Sequence, residues 1–293
     1  MPFLPKAARA IDGAGALSGD EQRVIFVQLC NVLDPGVAVA FASASSELRE
    51  LTQAERQQLK ADHEAAAALG RKAGKRSCKE LREAVVWHGK GLSSDNLALL
   101  GTLGSVLPAL ERLKVGELAA SPDGVQRLAE KLGAGALPAV TSLVLESAPV
   151  GDAGASALAA ALSRGVLPRL NLHLANTAIG DPGLVALAPA LRWLPALEWL
   201  KLWNNPFGDE GLAALVAPPP PAGAPPPTTG LLTKLKELSL SITQITDAGC
   251  ATIASALDSG ALPTLEVLYL FGIRASAAAK ATVRRRAGMA VLF

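Results

Sequence analysis

The sequence predicts an α/β solenoid, with a curved parallel sheet inside, helices outside and a small helical region ahead of it. Three observations predict it. A phrase of the form Leu-Pro-x-Leu recurs along the chain, and each copy runs on into alternating leucines. A Gly-Asp-x-Gly turn then leads into apolar residues at i, i+3 spacing. Alternation is the period of a strand with one buried face, and i, i+3 spacing is the period of a helix. One strand–helix unit cannot bury its own apolar side, so the units must stack.

Bulk properties agree. At 293 residues the chain is too long for one core of ordinary size. Half of it is apolar, yet the excess is largely alanine and no run long enough to span a membrane occurs. With 28 basic and 26 acidic side chains, the formal charge of +2 gives no global field for capturing nucleic acid or an anionic membrane. Cys30, Cys78 and Cys250 are far apart and lack Cys-x-x-Cys spacing, which fits buried thiols in a reducing compartment. Met1-Pro2-Phe3-Leu4-Pro5-Lys6 has no charged-then-apolar run, so the expected location is cytoplasmic or nuclear.

Residues 1–76 read as a helical region. Ser18-Gly19-Asp20-Glu21 is a capping box, and Val24, Ile25, Val27, Leu29 and Leu33 populate the helix it opens. Asp34-Pro35-Gly36 ends that helix. A second apolar stretch runs from Val37 to Leu51, and Thr52-Gln53-Ala54-Glu55 is a further capping box opening a polar helix to about Leu69. The region is expected to cap the open edge of the repeats. Ile25-Phe26 with Leu29, then Leu33-Asp34-Pro35, then Leu48-Arg49-Glu50-Leu51 also resembles an F-box over residues 17–51. That resemblance implies docking on the adaptor of a cullin-type ubiquitin ligase.

No catalytic, cofactor or metal constellation is found. His63, His88 and His173 lie in separate segments with no second ligand at metal spacing, and no Gly-x-Ser-x-Gly elbow occurs. Gly70-Arg71-Lys72-Ala73-Gly74-Lys75-Arg76 misses the phosphate-loop pattern by one spacer residue and lacks its Ser/Thr. The basic run from Arg71 to Arg82 is diluted by Glu80 and Glu83 and reads as a solvated linker.

The repeats occupy residues 79–293. Their phrases are Leu107-Pro108-Ala109-Leu110, Leu137-Pro138-Ala139-Val140, Leu167-Pro168-Arg169-Leu170, Leu194-Pro195-Ala196-Leu197, Leu232-Thr233-Lys234-Leu235 and Leu262-Pro263-Thr264-Leu265. The spacings are 30, 30, 27, 38 and 30 residues. Repeat four is fullest: Leu197-x-x-Leu200-x-Leu202-x-x-Asn205-x-Phe207-Gly208-Asp209-x-Gly211. The turn recurs at Gly151-Asp152, Gly180-Asp181 and Thr246-Asp247, where each Asp is suited to cap its helix, and a weaker unit starts near Leu81 and runs through Val86 to Leu92. This period with a full helix resembles the ribonuclease-inhibitor-like subfamily of leucine-rich repeats. The pattern departs in two ways: its asparagine survives only as Asn205, with Ala148, Thr177 and Thr243 elsewhere, and repeat three has lost a residue between Leu170 and Leu174.

Residues 217–230, rich in proline, account for the 38-residue spacing and read as an extended linker loop, the alternative being a polyproline ligand for an SH3 or WW domain, which no flanking arginine reinforces. About ten extra loop residues cost only ~1 kcal/mol of closure entropy. Ala275–Arg286 and Met289–Phe293 form a closing helix and segment, with Arg284, Arg285 and Arg286 at the helix end.

Side chains between the consensus leucines face the concave side. Glu198, Trp199, Lys201 and Trp203 come from repeat four, and Tyr269 and Phe271 from repeat six. Trp203 and Phe271 are expected to share one column, and Lys201 and Tyr269 the next. Immobilising Trp and Tyr on a rigid strand costs little entropy, and both are enriched in binding hot spots. The expected function is a scaffold that binds another protein through these residues, with Lys201 and Glu198 orienting it and no nucleic-acid or membrane partner. Stacking of the rings across strands is the alternative use of them. Two other functions fit the architecture: substrate recognition in a cullin-type ligase, and a GTPase-activating solenoid of the Ran type.

Overall fold

Leu113, Leu143, Leu172, Leu200, Leu238 and Leu268 stand side by side in successive parallel strands, all buried. They form the spine expected from the repeats. The computed structural model describes residues 17–90, 92–116, 122–217 and 232–293. It divides into a helical unit, Met1–Arg71 with Lys75–Leu81, and a second unit, Lys72–Gly74 with Arg82–Phe293. The proline-rich residues 218–230 and Glu117 lie outside the described residues.

In the helical unit α1 (Gly19–Leu29), α2 (Gly36–Ala42), α3 (Ser46–Leu51), α4 (Gln53–Lys72) and α5 (Cys78–Arg82) follow one another. The Ser18 hydroxyl accepts from the Glu21 amide, and Glu21 reaches back to the Ser18 amide, so the first capping box is present. Those hydrogen bonds hold the Glu21 carboxyl below its ordinary range. The second box does not form. Thr52 donates its hydroxyl to the Leu48 carbonyl at 2.7 Å and Glu55 pairs with Arg23, so α4 starts without a side-chain cap from Thr52. The helix α1 stops at Leu29 because Asn31 Oδ1 takes the Leu33 and Asp34 amides in a tight turn. Phe26, Ala38, Ala42 and Leu59 form the core.

In the second unit the order is β1 (Val86–Lys90), α6 (Ser94–Leu103), β2 (Arg112–Gly116), α7 (Pro122–Gly133), β3 (Ser142–Val144), α8 (Gly151–Leu162), β4 (Asn171–His173) and α9 (Asp181–Arg192). It continues with β5 (Trp199–Lys201), α10 (Asp209–Leu215), β6 (Glu237–Ser239), α11 (Asp247–Asp258), β7 (Val267–Tyr269), α12 (Ala277–Arg286) and β8 (Ala290–Leu292). The eight strands lie in sequence order, every pair parallel. Each strand returns through a helix packed on its predecessor, so the sheet lines one side and the helices the other. The closing segment is itself the eighth strand, and the Arg284 guanidinium lies 5.1 Å from the centre of the Phe293 ring.

The weak first coil differs from its sequence reading. Val86 faces outward and Trp87 fills the leucine position, fully buried, giving Ala84-x-x-Trp87-x-Gly89 as the degenerate phrase. A side chain at Gly89 would strike Leu92, whose buried side chain occupies that space.

The Asp of the Gly-Asp-x-Gly turn serves the coil after its own. Asp152 Oδ1 accepts from the Gly180 and Gly183 amides at 2.7 and 3.0 Å. Asp181 Oδ1 accepts from those of Gly208 and Gly211 at 2.8 and 2.7 Å. Asp209 holds the Thr246 amide and hydroxyl, and Asp247 those of Ser276. Each carboxylate thus fills the orphan donors at the neighbouring helix start, where the dipole also favours negative charge. The bonds from Ser276 hold the Asp247 carboxyl below its ordinary value. The second glycine of the turn permits the approach: a Cβ at Gly211 would stand 2.9 Å from Asp181 Oδ1.

Candidate functional site on the concave sheet face

The register of the strands fixes which outward side chains are neighbours. One column reads Arg112, Ser142, Asn171, Trp199, Glu237, Val267. The next reads Lys114, Val144, His173, Lys201, Ser239, Tyr269. Past the strand ends the backbone stays in step. The Asn204 amide donates to the Ser241 carbonyl at 2.8 Å and the Ile242 amide to that of Phe271 at 2.6 Å. Trp203, Ser241 and Phe271 therefore share a third column. Both shared columns expected from the sequence are present, each with a serine between its two large residues.

The aromatic residues are open to solvent to different degrees. Trp199 is 50% exposed and Phe271 45%, while Trp203 and Tyr269 are half-buried. Ser239 and Ser241 are buried. The large side chains of repeats four and six thus flank a floor of serines from repeat five. Glu198 and Lys201 are engaged within the sheet: Glu198 pairs with Lys236 at 3.2 Å and Lys201 with Glu237 at 3.3 Å. These pairs leave the rim close to neutral and, being well exposed, contribute little to stability.

His173 stands in the middle column among charged neighbours. Burial holds its imidazole below the ordinary value, with Glu146 pulling it up and Lys201 and Lys114 pushing it down. Its Nε2 is buried with no hydrogen-bond partner among the described residues.

Asn171, which the strand register places on the same face, is committed to the backbone. In other coils one carbonyl takes two amides of the next: Val85 from Glu111 and Arg112, Glu111 from Thr141 and Ser142, Glu198 from Lys236 and Glu237. Repeat three lacks the residue that would supply this carbonyl. Asn171 Oδ1 replaces it, accepting from the Glu198 and Trp199 amides at 2.9 Å each. Asn205 is likewise internal. Its Oδ1 accepts from the Thr177 and Ile179 amides, and its Nδ2 donates to the Leu174 and Leu202 carbonyls. Where the asparagine is absent, the Thr177 and Thr243 hydroxyls close the local turn onto the Leu174 and Leu240 carbonyls.

Ile242 is the surface residue that the sequence reading missed. It follows the third column at the strand exit, where Ser147, Asn176 and Asn204 precede it and Gly272 follows, all with φ between 55° and 63°. Asn204 donates to Asn176 and Asn176 to Ser147 along this row. Ile242 interrupts the row with an apolar side chain that is 54% exposed. Aligning the repeats on Asn205 and Thr243 places Ile242 opposite Asn204, so the signal was present as a mismatch of type.

Among the described residues no three His, Cys, Asp or Glu side chains are grouped to hold a metal, and no helix is long and apolar enough to cross a membrane.

A profile described as "Leucine Rich repeat" matches residues 137–159, 170–188 and 232–254. A ribonuclease inhibitor of Sus scrofa is 33% identical over 123 residues, 41% of this chain and 24% of that protein. The match therefore spans about a quarter of that relative's length. A solved structure from Bacteroides fragilis is similar over 84% of both chains, with 12% identity and a TM-score of 0.44. An internalin of Listeria monocytogenes is similar over 69% of this chain and 58% of its own, with 16% identity and a TM-score of 0.33. The recurring phrases, the parallel sheet in sequence order and the profile matches agree: the described repeats are leucine-rich repeats, similar to those of the ribonuclease inhibitor.

Proposed function

We propose that this chain is a protein-interaction scaffold that binds a partner protein on its concave face, centred on Trp199, Trp203, Tyr269 and Phe271 and bordered by Glu198 and Lys201. The observation that carries the reading is the exposure of Trp199, on a strand of a continuous sheet, and of Phe271, just past the end of one. Large exposed rings on rigid backbone lose little entropy on contact and are enriched where partners bind. The porcine relative is named for inhibiting another protein, which is in keeping with a binding role. Trp199→Ala/Trp203→Ala should fold as the wild type does by circular dichroism and lose partner affinity by ~2 kcal/mol or more. Capture from native lysate with both proteins is the check, and an unchanged set of retained proteins would defeat the concave-face reading.

A second reading concerns residues 17–51. Val24 and Val27 on α1 and Val37 and Val39 on α2 are all more than 40% exposed, although apolar residues at these spacings ordinarily pack. Uncovered valines on short helices favour docking of another helical protein, as the F-box resemblance implies, and with it a role as substrate-recognition subunit of a cullin-type ligase. The adaptor should co-purify with the full chain and be lost on Val24→Glu/Val27→Glu. Its absence from both preparations would remove this reading.

A further inference from the structure

We infer that the serine-floored part of the concave face binds a proline-rich segment of a partner in the polyproline II conformation, and that Ile242 is a contact residue for it. The inference rests on the concave-face reading and adds the chemistry of the ligand.

The first observation is Ile242. A β-branched residue at φ 55° crowds its own backbone, and the surrounding coils place Ser, Asn or Gly at the equivalent position. Its side chain is 54% exposed, so packing does not compensate for the conformation. Strain that the fold does not need marks a surface kept for another purpose. Ile242 stands beside Phe271, whose carbonyl takes its amide, and its Cγ1 lies against Gly272. It adds an exposed apolar side chain next to Phe271.

The second observation is spacing. Trp203 and Phe271 lie two strands apart with only buried Ser241 between, and Lys201 and Tyr269 repeat the arrangement over buried Ser239. Two strand spacings are about 9.6 Å. A polyproline II helix presents the same face every three residues, about 9.3 Å. A β-strand returns to one face after about 6.7 Å, and a helix offers contacts at about 6 Å and 10.5 Å. The polyproline period matches this spacing most closely, placing two rings of one ligand on both walls and its narrow intervening backbone over the small floor.

The third is charge. Lys201 pairs with Glu237 and Lys236 with Glu198, so the rim does not select a charged ligand. Trp and Tyr carry N–H and O–H donors suited to prolyl carbonyls, which have no amide hydrogen of their own to pair with. Such a peptide is also stiff before it binds, which limits the entropy lost on docking.

The test is titration of the full chain with decaproline and with a length-matched Gly-Ser peptide, followed by amide chemical shifts. Saturable shifts at Ser239, Ser241, Ile242, Tyr269 and Phe271 with decaproline alone support the inference. Ile242→Asn should weaken decaproline binding roughly tenfold while raising the melting temperature by roughly 2–4 °C. That combination separates a contact residue from a structural one. No saturable decaproline binding at millimolar peptide, equal binding by Ile242→Asn, or a lowered melting temperature in that variant would each overturn it. If decaproline fails while Trp199→Ala/Trp203→Ala still loses captured proteins, the ligand chemistry is wrong and the concave-face scaffold stands.

Discussion

At the scale of single residues, two positions show a side chain standing in for what the repeat would otherwise provide. Repeat three is one residue short, yet Asn171 Oδ1 occupies the place of the missing carbonyl and takes both amides of the next coil. A neutral amide oxygen is well matched, since a peptide carbonyl has the same acceptor geometry. Asn171→Ala should therefore cost about 1–2 kcal/mol in urea unfolding, because the Glu198 and Trp199 amides lose their acceptor. Asn171→Asp keeps an acceptor and should recover most of that loss; equal destabilisation by both would show that the oxygen is not what matters. Ile242 is the opposite case, a side chain that its backbone conformation disfavours by about 1–3 kcal/mol. The two together explain why the concave face could not be read residue by residue. A polar side chain between leucines, Asn171, is committed to the backbone, while an apolar one just past the strand, Ile242, is exposed.

At the scale of elements, the strands and helices were legible because each carries its own period, and a buried face leaves a mark in every coil. The alternation at Leu200 and Leu202 and the spacing at Leu212 and Leu215 specify a strand and a helix before any contact is known. The partners of polar groups were not legible. Thr52 and Glu55 fit a capping box by type and spacing, but Leu48 and Arg23 compete for them, and nothing local reveals that competition. The turn aspartates fit a cap for their own helix equally well, yet their acceptors face the next coil, 28 residues away from Asp152 to Gly180. Sequence adjacency identifies the donor set that a carboxylate suits, and only the stacking of coils decides which member of the set receives it. Trp87 was missed for a related reason: a tryptophan at a leucine position hides the phrase, and only its register opposite Leu113 reveals it.

At the scale of the whole molecule, the forward-reaching aspartates make neighbour coupling directional, on top of the symmetric apolar packing expected of a repeat array. Asp209→Ala should raise amide hydrogen exchange more at Thr246 and the first turn of α11 than at the first turn of α10, although Asp209 itself begins α10. Greater loss of protection in α10 would mean that each carboxylate serves its own helix after all. This one-way dependence has a consequence for how such a chain is made and shortened. During synthesis from the N-terminus, the starts of α9 to α12 each emerge to find an oxygen already waiting on the coil completed before. Coils removed from the C-terminal side leave behind a carboxylate that water readily solvates, whereas coils removed from the N-terminal side strip the next helix of its acceptor. The array is therefore more tolerant of erosion at one end than at the other.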